Sequence, residues 1–64
     1  MRLTLFWERM HEQFGEAYAE SLAQDYVIEG LGSRTIRQAL ADGVAAKEVW
    51  RRVCEAFDLP EAVR

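Results

Sequence analysis

The stretch "RTIRQALADGVAAKEVWRRV", residues Arg34–Val53, decides the fold. Ile36, Ala39 and Leu40 recur at steps of three and one, and Val49, Trp50 and Val53 follow beyond Gly43. That spacing puts apolar side chains on one face of each of two helices. Thr35 and Gln38 stand in capping-box relation, the hydroxyl accepting from a free amide while the side-chain amide reaches back to the cap. Asp42-Gly43 stops the short first helix, and a second runs from about Ala45 to Phe57 with Val49, Trp50, Val53, Cys54 and Phe57 on its apolar side. Ala39, Gly43 and Val49 fall where a helix-turn-helix wants a small residue, a turn glycine and an apolar position.

Working outward, Leu3, Phe6, Trp7, Met10 and Phe14 form one helical stripe. Thr4 is the expected N-cap, and Gly15 is expected to end the helix in the left-handed conformation. "EAYAESLAQDYVIEGLG", Glu16–Gly32, continues with Ala19, Leu22, Ala23, Tyr26 and Val27, with Tyr18 and Ile28 beside that stripe. The small Ala19 and Ala23 let a neighbouring helix approach closely. Gly30 and Gly32 stop this segment, and Pro60 suits the start of a short final turn. No strand is expected. The fold class is all-α: a single domain, residues 1–64, forming a small compact bundle of three main helices plus one short helix, its second half a helix-turn-helix-like αα-hairpin. The expected core is Phe6, Trp7, Met10, Phe14, Leu22, Tyr26, Ile36, Leu40, Val49, Trp50, Val53 and Phe57.

Sixty-four residues, 50% hydrophobic and 30% charged, have globular composition near the lower size limit for a self-supporting core. No apolar run approaches the roughly 18 residues that cross a bilayer. Glu8, Arg9 and Glu12 interrupt "MRLTLFWERMHEQF" too early for a signal peptide's apolar region. The single Cys54 precludes an internal disulfide, and small secreted domains usually depend on several. The expectation is a soluble, cytoplasmic protein with no membrane partner. The formal charge is −3, which disfavours nonspecific binding to nucleic acid or anionic lipid. It is uneven: residues 1–32 carry two arginines against six carboxylates, and residues 33–64 six cations against five.

Catalytic signatures are lacking. "HEQFG" begins like a zinc-protease helix, but Gly15 stands where the second histidine belongs and His11 has no counterpart. One histidine and one cysteine cannot build a closed zinc site of the usual kind, and His11 reads as a polar-face residue near Glu8 and Glu12. Glu8, Glu12, Glu16 and Glu20 read as a solvated acidic face broken at Gly15. "GLGS" before Arg34 lacks the lysine and preceding strand of a phosphate-binding loop. Cys54 lies among Trp50, Val53 and Phe57 as a small core hydrophobe without a nearby base. The expectation is therefore no enzyme, no metal and no organic cofactor.

Two functions of different kinds remain. A small acidic bundle without chemistry offers only its surface, so the leading expectation is a protein-interaction module acting on a protein partner or as a homodimer. The alternative is a nucleic-acid-binding module using Lys47, Arg51 and Arg52, with Arg34 and Arg37 at the neighbouring helix start. Glu48 and Glu55 lie among the first three cations and can pair with Arg52 and Arg51 one turn apart, which favours the interaction reading.

The ordered set "RLT-FWERM" (Arg2–Met10), "FG-AYA-S-A-D" (Phe14–Asp25), "LGSRT---AL--GV" (Leu31–Val44), "VWR-VC-A" (Val49–Ala56) and Pro60 resembles a small uncharacterised actinobacterial family, domain-of-unknown-function family 3046. The resemblance spans Arg2 to Pro60 and implies a short, all-helical cytoplasmic protein. Members of that family are often encoded near the recombinase and its regulator, which implies a DNA-repair context. It supplies no catalytic or binding residues to carry over.

Overall fold

Gly15 separates the first two helices. In the computed structural model, which describes residues 1–64, α1 (Leu3–Phe14) ends and α2 (Glu16–Asp25) begins across this one residue. Its φ of 82° and ψ of 154° lie in a region that essentially only glycine occupies, not in the left-handed helical conformation expected. The Gly15 amide donates to the His11 carbonyl at 2.9 Å, and its own carbonyl accepts from Ala19 at 2.9 Å. One residue thus satisfies groups at two helix ends. Thr4 lies inside the first turn of α1, and the N-cap position falls to Arg2, which makes no side-chain capping bond.

The second helix stops sooner than its apolar spacing suggested. Tyr26 is extended (φ −87°, ψ 120°), and β1 (Val27–Ile28) pairs antiparallel with β2 (Arg34–Thr35), Val27 opposite Thr35 and Ile28 opposite Arg34. A 3-10 turn at Glu29–Leu31 and positive φ at Gly32 (72°) and Ser33 (59°) reverse the chain between them. The expectation of a purely all-α chain without strands is corrected: the fold is mainly α, with four helices and one small ribbon. The physical reason is local. Val27 and Ile28 are β-branched, lose side-chain freedom in a helix and pack better when extended. Helical periodicity alone cannot report that preference.

Thr35 ends β2 and caps α3 (Ile36–Ala41). Its hydroxyl accepts from the Gln38 amide at 3.1 Å, and its amide donates to Gln38 Oε1 at 2.9 Å. After α3 the chain turns at Gly43 (φ 92°), where the Val44 amide donates to the Ala39 carbonyl at 3.0 Å. Then α4 (Ala46–Ala56) begins. Helix α1 packs on α2 and α4, and α3 packs on α2 and α4.

Phe6, Met10, Leu22, Ile36, Val49, Trp50 and Val53 are buried as expected, together with Ala19, Ala23, Ile28, Leu31, Ala39 and Cys54. The methyl side chains of Ala19 and Ala23 sit where α2 meets its neighbours. Trp7, Phe14, Leu40 and Phe57 pack on the margin of this core. Tyr26 does not belong to it: 47% of the residue is exposed, because the chain leaves the helix just before it. Phe6 meets Trp50 edge to face at 6.1 Å. The Trp50 indole donates to the Val63 carbonyl at 3.2 Å, which ties the 3-10 turn Glu61–Val63, entered through Pro60, to α4.

Candidate functional site

The five cations of the nucleic-acid reading are placed by three different elements, and four of them are engaged by carboxylates. On α4, Arg51 meets Glu48 at 2.9 Å, while Arg52 reaches Glu48 at 2.9 Å and Glu55 at 3.2 Å. These pairs form because residues three and four apart on a helix are neighbours. The hydrogen bond from Arg51, aided by the charges of Arg51 and Arg52, holds the Glu48 carboxyl below its ordinary range against a smaller opposing effect of burial. The same bond raises Arg51. Arg34, on β2, donates to the Leu31 carbonyl at 2.7 Å and to Asp42 at 2.9 Å, fastening the ribbon's turn to the end of α3. Arg37 leaves α3 for α2, meeting Glu20 at 2.7 Å, and its guanidinium lies 4.7 Å from the centre of the Trp7 ring. Only Lys47 has no carboxylate within 4.0 Å.

His11 is placed differently from its sequence reading. It faces Glu20 of α2 rather than Glu8 or Glu12, with Nε2 3.8 Å from Glu20 Oε1 and the ring 6.2 Å from that of Trp7. Its Nε2 is shielded from solvent and makes no hydrogen bond. Trp7, His11, Glu20 and Arg37 therefore form a seam joining α1, α2 and α3. The acidic run is split as expected: Gly15 interrupts it, and Glu20 is turned into this seam. Cys54 is buried. Burial pushes its thiol up, outweighing the opposing charges of Arg64 and Arg9, so the nucleophilic thiolate is disfavoured. No three histidine, cysteine, aspartate or glutamate side chains gather to hold a metal ion. No helix is long and apolar enough to cross a membrane.

The feature missed in the sequence is a row of four aromatic rings. Tyr18 meets Phe14 at 6.0 Å, Phe14 meets Phe57 at 5.3 Å, and Phe57 meets Tyr26 at 5.2 Å between centroids. Tyr18 is 55% exposed, and Val27, next to Tyr26, is also 55% exposed, so the row is an outer surface. Gly15 makes it possible by setting Phe14 and Tyr18 on separate helices, while the early end of α2 brings Tyr26 onto Phe57. The available signal was Tyr18, which stands beside the apolar stripe of its helix rather than within it. Beyond Tyr26 the row opens into a groove of about 420 Å³, bordered by Val27, Glu29, Gly30, Arg52 and Glu55. Aromatic faces and a groove can hold another molecule's side chains, but this surface presents no nucleophile paired with a base.

Fold and surface together define a small, mainly α domain with four helices, a two-stranded antiparallel ribbon and an exposed aromatic row. The family described as "Protein of unknown function (DUF3046)" matches residues 1–62. The chain belongs to that family. No curated protein and no solved structure was found to match it.

Proposed function

We propose that this chain is a non-catalytic protein-interaction module acting in the cytoplasm. The observation that carries the reading is the partly exposed row Tyr18–Phe14–Phe57–Tyr26. Aromatic side chains are enriched at protein interfaces because they bury large area with little loss of side-chain freedom. A contiguous apolar patch on a small domain is costly to leave in water unless something covers it. A second copy of the chain is one such cover and a different protein another. The DNA-repair setting rests on the family resemblance alone.

The competing reading places nucleic acid against Lys47, Arg51 and Arg52 on α4, with Arg34 and Arg37. Of these, the four arginines are held by Asp42, Glu20, Glu48 and Glu55, and the net charge is −3. Phosphate binding would have to break those pairs and overcome that charge.

The test compares wild type, the doubly substituted Tyr18→Ala/Tyr26→Ala and Arg51→Glu. Nuclease-treated extract of the source cells supplies partners, and light scattering across a concentration series reports self-association. The expected result is a protein complex or dimer that survives nuclease, is lost in the tyrosine variant and persists in Arg51→Glu. Duplex DNA binding in the micromolar range that weakens steeply with salt and disappears in folded Arg51→Glu would overturn the reading.

A further inference from the structure

The seam of Trp7, His11, Glu20 and Arg37 contains the one buried side-chain polar atom of the chain that has no hydrogen-bond partner, His11 Nε2. Buried polar atoms nearly always have a partner, so an orphan asks for a physical reason. The His11 side chain as a whole is 37% exposed, so solvent reaches the ring at other atoms while Nε2 is shielded. Glu20 divides its two oxygens: Oε2 accepts from Arg37 at 2.7 Å, and Oε1 faces His11 Nε2 at 3.8 Å. That gap exceeds the roughly 2.7–3.2 Å of an N–H···O hydrogen bond.

Histidine is the side-chain type that ordinarily changes charge between about pH 5 and 8, and His11 is the only one in the chain. A neutral imidazole has a proton on one nitrogen; after taking a second from solvent it has one on each. Nε2 is then an N–H donor facing Oε1, and a movement of about 1 Å makes a charge-assisted hydrogen bond. Few charges surround the ring. Glu20 faces it from α2, and Arg37 of α3 stands on the far oxygen of Glu20. Arg37 opposes a second cation, but the two carboxylate oxygens can serve one donor each. Glu8 and Glu12 of α1 itself, and Glu16 of α2, bring no oxygen within 4.0 Å of the ring nitrogens. Helix α4 packs on α1 through Trp50 and Phe6, and its Glu48 and Glu55 are held by Arg51 and Arg52.

The position of this pair gives it leverage. The Gly15 amide donates to the His11 carbonyl, and the Gly15 carbonyl accepts from Ala19, the neighbour of Glu20. His11 and Glu20 thus sit on the two helical turns that flank the α1–α2 corner. The same corner sets Phe14 against Tyr18 at 6.0 Å. We propose that His11 is a proton-operated latch across this corner: on protonation its Nε2 closes onto Glu20 Oε1, joins α1 to the Glu20–Arg37 pair, and adjusts the Tyr18 end of the aromatic row. The latch itself follows from the seam; its use as regulation of a binding surface rests on the interaction reading above. Tyr26 packs on Phe57 of α4 at the opposite end of the row, away from the corner, and is left in place.

A single histidine makes the test direct. Isotope-labelled intact protein is titrated from about pH 8 to 5, the range of that side chain, and followed by nuclear magnetic resonance. In wild type the His11 ring, the Gly15 amide, the Tyr18 ring and the Trp7 indole N–H should move with one midpoint, while Tyr26 stays still. In Glu20→Gln, at a half-exposed side chain and so expected to fold, His11 should still titrate, but the Gly15 and Tyr18 responses should fall by more than half. In His11→Gln they should vanish over the same range. A ring that titrates while Gly15 and Tyr18 stay silent would overturn the latch. So would an undiminished response in Glu20→Gln, or a His11 that takes up no proton in this range. None of these readouts uses a partner, so failure to find one removes the interaction reading and leaves the latch standing. Where a protein partner is captured, its affinity should change with the His11 midpoint in wild type and not in Glu20→Gln. An affinity indifferent to pH would separate the latch from that surface and overturn its regulatory use.

Discussion

At Gly15 the backbone takes φ 82° and ψ 154°, and a Cβ built there would meet nothing within 4 Å. Substitution at this residue therefore probes conformation without steric conflict. Gly15→Ala should cost about 1–3 kcal/mol, the strain of a side-chain-bearing residue in that region. In a domain of this size each kilocalorie lowers the melting midpoint by about 4–8 °C. A melt within about 2 °C of wild type, on that same scale, would contradict the backbone geometry at the α1–α2 corner. The glycine was legible as a break; its part in setting Phe14 against Tyr18 was not, because that contact depends on the angle between two helices.

Among the elements, α4 shows how a helix with several cations offers little free positive charge. Glu48 accepts from both Arg51 and Arg52, and its carboxyl is held below the ordinary 4.5 chiefly by the Arg51 hydrogen bond. A carboxyl whose folded value is depressed stabilises the fold above its unfolded value and loses that contribution as pH falls through the folded one. Melting should therefore drop on acidification below about pH 5, and Glu48→Gln should make that drop shallower. Because the side chain is only partly buried, the change near neutrality should be small and diminish in salt. An unchanged acid profile in Glu48→Gln would show that these pairs do not persist in solution. The pairs were legible from spacing; the destination of Arg37 was not, since Glu20 and Trp7 lie on other helices.

The whole molecule measures 26 × 23 × 21 Å and has a single core, in which Trp50 joins α4 to Phe6 of α1 and to the Val63 carbonyl. Trp50→Ala would remove both connections and leave a cavity, at a cost of roughly 3–5 kcal/mol. Small domains of this kind have about 5 kcal/mol or little more in total, so the variant should be largely unfolded at about 37 °C. Circular dichroism checks this: melting like that of wild type would displace Trp50 from the centre of the fold.

The four helices, the capping box at Thr35 and Gln38, the breaks at Gly15 and Gly43, and most of the core were legible from the residues alone. Each of these is set by side chains within one helical turn or by the conformational freedom of a single residue. The pairing of Val27 with Thr35, the exposure of Tyr26, the seam of Trp7, His11, Glu20 and Arg37, and the aromatic row arise from packing between elements. Those features join residues distant along the chain, and helical periodicity reports which face a side chain occupies on its own helix but not which partner lies across from it.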